Sequence, residues 1–467
     1  NPTFRGMRWQ LINTFSTLYI LDLHGNAKKK EISPDGSPDK NVFDIQQGVS
    51  ILVGVRKKSD KNKYATVYRV DIQGSRKAKF DWLNTSSLSS IKWDKINLRE
   101  PSFLFINKDE KIQNEYEKGI KINDLFRENS VGIVTARDHM SIQMSREKMD
   151  LVVREFEMLD VEELRNKHDL GHDVRDWSVV GAKSDVANNF DLTKIVPISY
   201  RPFDTRYTFY TGNSRGFHCY PRNEVMQHFL NNDNIGLMVC RQQKTEGFYH
   251  ALVHNYIVES SYVSNKTSEI GSTFPLYIFS DSKQSSLSGN KSSNLRENFV
   301  KQLIAKVVDG DKVTPENILD YVYATLHSPK YREKYKDFLK SDFPRIPAAQ
   351  DTKSFWELVR FGSQLRGIHL LDKQELGKLT ALFPVAGTNE IEKIEYKDKR
   401  VYINSTQYFD GVDREVFDFY IGGYQPAQKW LKDRKGSALG YEEILHYQQI
   451  IASQTKTIEI MKKIDEI

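Results

Sequence analysis

Three short runs in the middle of the chain concentrate the groups that read DNA bases: Arg222-Asn223, Arg241-Gln242-Gln243-Lys244 and Asn265-Lys266. A forked guanidinium or an ammonium matches the guanine edge and a carboxamide matches adenine; one bidentate contact is worth about 1–3 kcal/mol of discrimination. Arg206 and Arg215 lie just before these runs and are candidates for the same role. Upstream, Arg76, Lys77 and Lys79 stand beside Phe80 and Trp82, a pattern that could track phosphates or equally form a solvated helix face. Arg137-Asp138-His139 combines a cation, an acid and a base. With no cysteine, strained-turn serine or second metal-like cluster beside it, the triplet reads as a loop reaching toward DNA through Arg137 and Gln143 rather than as a catalytic centre. A soluble sheet with solvated loops would carry a similar composition.

Such groups need a rigid platform. Period-two alternation and aromatic enrichment predict strands within 199–210, 235–239 and 274–279, with the polar runs just beyond strand ends. Pro202 holds Arg201 extended, and Asp204 is near enough to pair with it, so both read as structural. Before the platform, Phe4, Met7, Leu11 and Phe15 predict a helix, followed by a strand over 17–23, a turn into a buried strand over 42–55, a strand over 64–72 and a basic helix from Ser75. Residues 132–140 read as a strand running into a polar loop, 146–156 and 160–167 as helices, and 174–189 only as a polar approach to the sheet. Farther on, Thr314 caps and Pro315 opens a helix faced by Ile318, Leu319, Val322 and Leu326. Another helix is expected over 354–371, and Ile444, Ile451 and Ile458 stripe a long one that packs along a neighbour. Residues 57–62 and 280–294 read as linkers. The predicted class is α+β: a partial α/β remnant over 1–62, a mixed-sheet domain over 63–285 and a helical module over 286–467.

The length of 467 residues suits about two to four domains. Lys and Arg outnumber Asp and Glu by 68 to 62, a formal net charge of +6 and the sign expected of a protein that meets phosphates. Cys219 and Cys240 are too few for a disulfide framework and lack metal-ligand spacing, so no metal is expected. No apolar run nears the roughly 20 residues that span a bilayer, and the start has no leader pattern. A cytoplasmic protein is expected, with no membrane partner. Because it opens on Asn1-Pro2 rather than Met, the sequence also reads as a piece of a longer chain.

Phe4-Arg5-Gly6-Met7-Arg8, 19–26 (Tyr-Ile-Leu-Asp-Leu-His-Gly-Asn) and 42–49 (Val-Phe-Asp-Ile-Gln-Gln-Gly-Val) resemble the later motifs of an adenine-N6 DNA methyltransferase of the Type ISP restriction-modification family. Tyr200-Arg201-Pro202-Phe203-Asp204, 319–324 and Gly422-Gly423-Tyr424-Gln425-Pro426 resemble that family's C-terminal target recognition region. The resemblance implies double-stranded DNA as partner, with upstream nuclease, translocase and methyltransferase domains on the same polypeptide. It implies S-adenosylmethionine, ATP and Mg for the whole family, and none of them bound by this chain alone. The family's cofactor turn and catalytic tetrapeptide have no counterpart: Asn1-Pro2-Thr3-Phe4 imitates the latter, but Thr3 breaks it, so no catalytic residue and no methyl transfer are expected here. By the family's pattern Phe43 stands where a ring stacks on a base swung out of the duplex; the alternative is an ordinary buried Phe. Glu395-Tyr396-Lys397 is half of a metal-dependent nuclease signature, and a DNA-binding nuclease remains a rival reading, as does a protein interaction module without nucleic acid.

Overall fold

The computed structural model describes residues 4–27, 31–57, 63–100, 103–106, 109–243, 245, 247–266, 269–279, 291–308 and 310–467. The chain divides into two units, 1–113 and 114–467. In the first, helix α1 (Arg5–Thr14) leads into strand β1 (Thr17–Asp22). Strand β1 pairs antiparallel with β2 (Ser50–Val55) and parallel with β3 (Thr66–Asp71); β4 (Asp94–Ile96) completes the order β2-β1-β3-β4. Both faces of β1 are covered, which is why it reads as a nearly continuous apolar run. Leu18 and Ile20 join Ile12, Val67, Ile96 and Phe103 on one side; Leu21 and Leu23 join Val42, Val70 and Trp82 on the other. Helix α2 (Arg76–Thr85) starts at Ser75, whose hydroxyl accepts from the Ala78 N–H.

Two expectations change here. The strand read as buried, β2, is an edge on which Ile51, Leu52 and Val53 are 40, 42 and 37% exposed; an apolar run sets strand propensity but not what covers it. The sheet also continues through β3 and β4, past the break expected at 62, because β3 hydrogen-bonds along the full length of β1.

The second unit is built on an antiparallel sheet in the order Ala251–His254, Gly236–Cys240, Gly271–Pro275, Ser130–Val131, accompanied by a three-stranded sheet of Ile257–Val258, Ile195–Arg201 and Asp204–Phe209. Helices Arg146–Met158 and Val179–Asn189 pack Met149, Val153, Phe156, Ala182 and Val186 around Phe209 and Phe217. The second of these was missed in the sequence because its buried side chains are small, although Ser178 caps it. The strand expected over 132–140 is reduced to isolated bridges, Ile133 to Glu259 and Val134 to Tyr220, after which the Thr135 hydroxyl bonds the Asp138 carboxylate and the chain closes into the helical turn Asp138–Ser141. Lys291–Ser293, within the expected second linker, pairs with Tyr277–Phe279; residues 280–290 lie outside the described residues. Helices Pro315–His327, Thr352–His369 and Tyr441–Ile464 pack together, with Ile451 and Ile458 buried and Ile444 partly so. The architecture is mixed α+β, as expected.

Arg201 and Asp204 are structural and face each other across the hairpin, but their side chains bond other partners. The tight turn through Pro202 and Phe203 (φ 62°) sends Arg201 to Glu259 and Asp138, and Asp204 to Arg206 (2.9 Å) and Arg434 (2.9 Å). The Arg201 and Arg206 guanidinium carbons both lie over the Tyr200 ring, 3.7 and 4.1 Å from its centroid.

Candidate nucleic-acid interface

Phe43 rides on a loop that one buried carboxylate fixes from beneath. Asp39 accepts from the backbone N–H groups of Gly25 (2.6 Å) and Gly74 (2.6 Å) and from the Lys79 ammonium (2.9 Å), and both charged side chains are fully buried. Lys79 also donates to the carbonyls of Leu23 (2.6 Å) and Lys40 (2.7 Å), which uses all three of its donors. The Asn41 side-chain oxygen takes the Phe43 N–H (2.8 Å), while Arg76 donates to the Asn41 carbonyl (2.9 Å) and the Asp44 carboxylate (2.6 Å). On this frame the Phe43 ring is 55% exposed, so it is no core residue. The expected phosphate contacts of α2 are redistributed accordingly. Lys79 is interior because helical spacing aims it at the loop, Arg76 is bonded to the loop, and Lys77 is exposed.

A group unseen in the sequence lies at the ends of the parallel strands. Asp22, His24 and Asp71 bring one ligand atom each to within 4.8 Å of one another, a spacing that could suit a cation. The Arg69 guanidinium already bonds Asp22 (2.7 Å) and Asp71 (2.9 Å), supplying the positive charge from the protein itself. A hydrogen bond to Asp71 (2.8 Å) raises the His24 imidazole above its ordinary value. Burial alone would raise the Asp71 carboxyl, but hydrogen bonds from His24 and Arg69 hold it well below the usual range.

In the second unit a similar device recurs. Asp185, buried on helix Val179–Asn189, accepts from Thr211 Oγ1 (2.7 Å), Asn213 Nδ2 (2.7 Å) and the Phe217 N–H (2.8 Å), fixing the loop that carries Arg215. Arg215 is 68% exposed beside Asp176, and Arg222, also in a left-handed conformation, lies over the Tyr220 ring at 5.0 Å. Glu269, fully buried, ties the other two polar runs together: it accepts from His250 Nε2 (3.0 Å), Ser264 Oγ (2.6 Å) and the Thr245 N–H (3.3 Å). Around it Arg241 is 64% exposed with Asp342 as its ion pair, Gln242 is half-buried, and Asn265 and Lys266 are exposed; Lys244 lies outside the described residues.

Other predicted contacts are consumed internally. Arg137 donates to the carbonyls of Leu170 (2.8 Å), Ala136 (2.8 Å) and His172 (2.7 Å) and stacks on Trp177. Gln143 donates to the His139 (2.8 Å) and Met140 (2.9 Å) carbonyls, Arg206 is held between Asp204 and Asp433, and Gln243 is buried and bonded to the Gly247 carbonyl. Each fills a local shortage of donors at uncapped carbonyls or buried carboxylates, which residue type does not disclose. Glu395 forms an ion pair with Lys393 and belongs to no group of three potential metal ligands among the described residues. Asp39, Asp185 and Glu269 were missed in the sequence; Asp185 and Glu269 gave the signal of an acid standing among apolar or small neighbours, while Asp39, beside Lys40 and Asn41, gave none.

Fold and site together define an α+β domain that presents polar loops fixed from within. Residues 124–463 match the family model of the Type ISP C-terminal specificity domain, and the chain belongs to that family. No curated protein sequence matches it. Similar solved structures include a DrdV–DNA complex (TM-score 0.71, 18% identity, covering 100% of this chain and 49% of that one). A nuclease-deletion mutant of the Type ISP restriction-modification enzyme LlaGI, in complex with a DNA substrate mimic, has a TM-score of 0.67 at 18% identity, covering 98% of this chain and 37% of that one. The ATP-dependent Type ISP restriction-modification enzyme LlaBIII bound to DNA has a TM-score of 0.68 at 18% identity, covering 98% and 32%. The chain thus spans about half or less of those proteins. Among the described residues, no helix is long and apolar enough to cross a membrane.

Proposed function

We propose that the chain is the target-recognition part of a restriction-modification polypeptide and reads duplex DNA. The observation that carries this reading is the set of exposed cationic and carboxamide side chains on loops held by buried carboxylates, in a specificity-domain family. Arg215, Arg222, Arg241, Gln242, Lys244, Asn265 and Lys266 are the proposed contacts to bases and phosphates, and Lys77 to phosphate. Phe43 stacks on an adenine swung out of the duplex. Adenine-N6 methylation and translocation-coupled cleavage belong to upstream methyltransferase, translocase and nuclease domains, with S-adenosylmethionine, ATP and Mg, and the proposed location is the cytoplasm. Among the described residues, the glycine after β1, Gly25, offers S-adenosylmethionine no cradle, because Asn41 fills its open side. The test is fluorescence anisotropy of a labelled duplex across a salt series. Binding that weakens linearly with the logarithm of salt, with a smaller slope for Lys266→Ala, supports the reading; no binding to any duplex at low salt, with or without the upstream domains, overturns it.

A further inference from the structure

We infer that Glu269 is a positioning residue for sequence readout, holding three segments as one DNA-reading unit; this rests on the recognition reading above. Glu269 joins the 240–250 segment, through His250 and Thr245, to the 264–269 segment, through Ser264. A third segment locks onto both: the Gly422 N–H donates to the Tyr249 carbonyl (2.6 Å) and the Gly423 N–H to the Val263 carbonyl (2.9 Å). Only glycine fits there, since a Cβ on Gly422 (φ +57°) would strike the Val263 carbonyl and one on Gly423 would come within 2.6 Å of Ser264 Oγ. The exposed Tyr420 ring is brought 6.3 Å from that of Tyr249, on the same unit.

Glu269 is fully buried and so presents no surface to a ligand. Its effect passes through loop geometry, because base readout depends on side chains held in register with the groove, whereas phosphate attraction tolerates displaced loops. Glu269→Gln keeps the shape and removes the charge that gathers His250 Nε2, Ser264 Oγ and the Thr245 N–H. Ser264→Ala removes a single strand of the knot.

The experiment selects bound duplexes from a randomised library with the wild-type chain, Glu269→Gln and Ser264→Ala, and measures retention of a non-specific duplex at low salt alongside. The expected result is a wild-type motif whose enrichment falls about tenfold or more at some base positions in Glu269→Gln, and in the same direction in Ser264→Ala, with non-specific retention within about twofold. Should Glu269→Gln fail to fold, Ser264→Ala decides. An unchanged motif in the folded variants, or loss of specific and non-specific binding in equal proportion, overturns the role of Glu269 while leaving target recognition standing. A wild-type chain that enriches no motif overturns the recognition reading itself.

Discussion

Lys79 shows how far a residue's type can mislead about its work. Its ammonium meets three oxygens beneath the Phe43 loop, two of them buried, so Lys79→Met strands Asp39 as a buried, uncompensated charge. The expected cost is about 3–5 kcal/mol in urea unfolding; a variant as stable as wild type would refute the clamp. Phe43 should behave oppositely. Being exposed, its replacement by alanine is expected to shift stability by less than about 0.5 kcal/mol, yet to weaken stacking on an unpaired base by about 1–3 kcal/mol. Fluorescence of 2-aminopurine at the target adenine, in the chain joined to its upstream domains, reads that loss, and unchanged quenching contradicts the stacking role. At this scale the sequence disclosed candidates rather than roles. Arg241, Asn265 and Lys266 are exposed, while Arg137, Arg206, Gln143 and Gln243 answer carbonyls and carboxylates whose proximity only the folded chain creates.

Among elements, the parallel pairing of β1 with β3 sets Asp22 beside Asp71, and Arg69 and His24 relieve the repulsion. Because the hydrogen bond to Asp71 raises His24 in the folded state, its stabilising contribution is complete below the unfolded imidazole value of about 6.5 and is lost as pH rises through the higher folded value. The thermal midpoint of His24→Gln should therefore fall short of wild type by more at about pH 5.5 than at about pH 8.5; an equal gap would assign the effect to packing. Gly422→Ala is expected to lose at least about 1 kcal/mol in chemical denaturation, since neither its φ nor its surroundings accept a Cβ. Elements with strong local signals were legible: Thr314-Pro315 opens its helix with a capping box, and the Ile451 and Ile458 stripe packs inward. The exposed edge β2 and the small-residue helix Val179–Asn189 were not, because burial depends on neighbours remote in sequence and small side chains give a weak periodic signal.

Across the whole molecule, the specificity-region motifs read at 200–204, 319–324 and 422–426 fall within the specificity-domain span of 124–463, and the α+β class holds. The excess of basic charge is only +6, too modest by itself to distinguish a base-reading protein from one that merely adheres to phosphates. Selection from a randomised duplex library at two salt concentrations separates the two directly. The account predicts enrichment of one asymmetric motif that persists at the higher salt while total retention falls. Retention that vanishes with salt and never favours a sequence would contradict it.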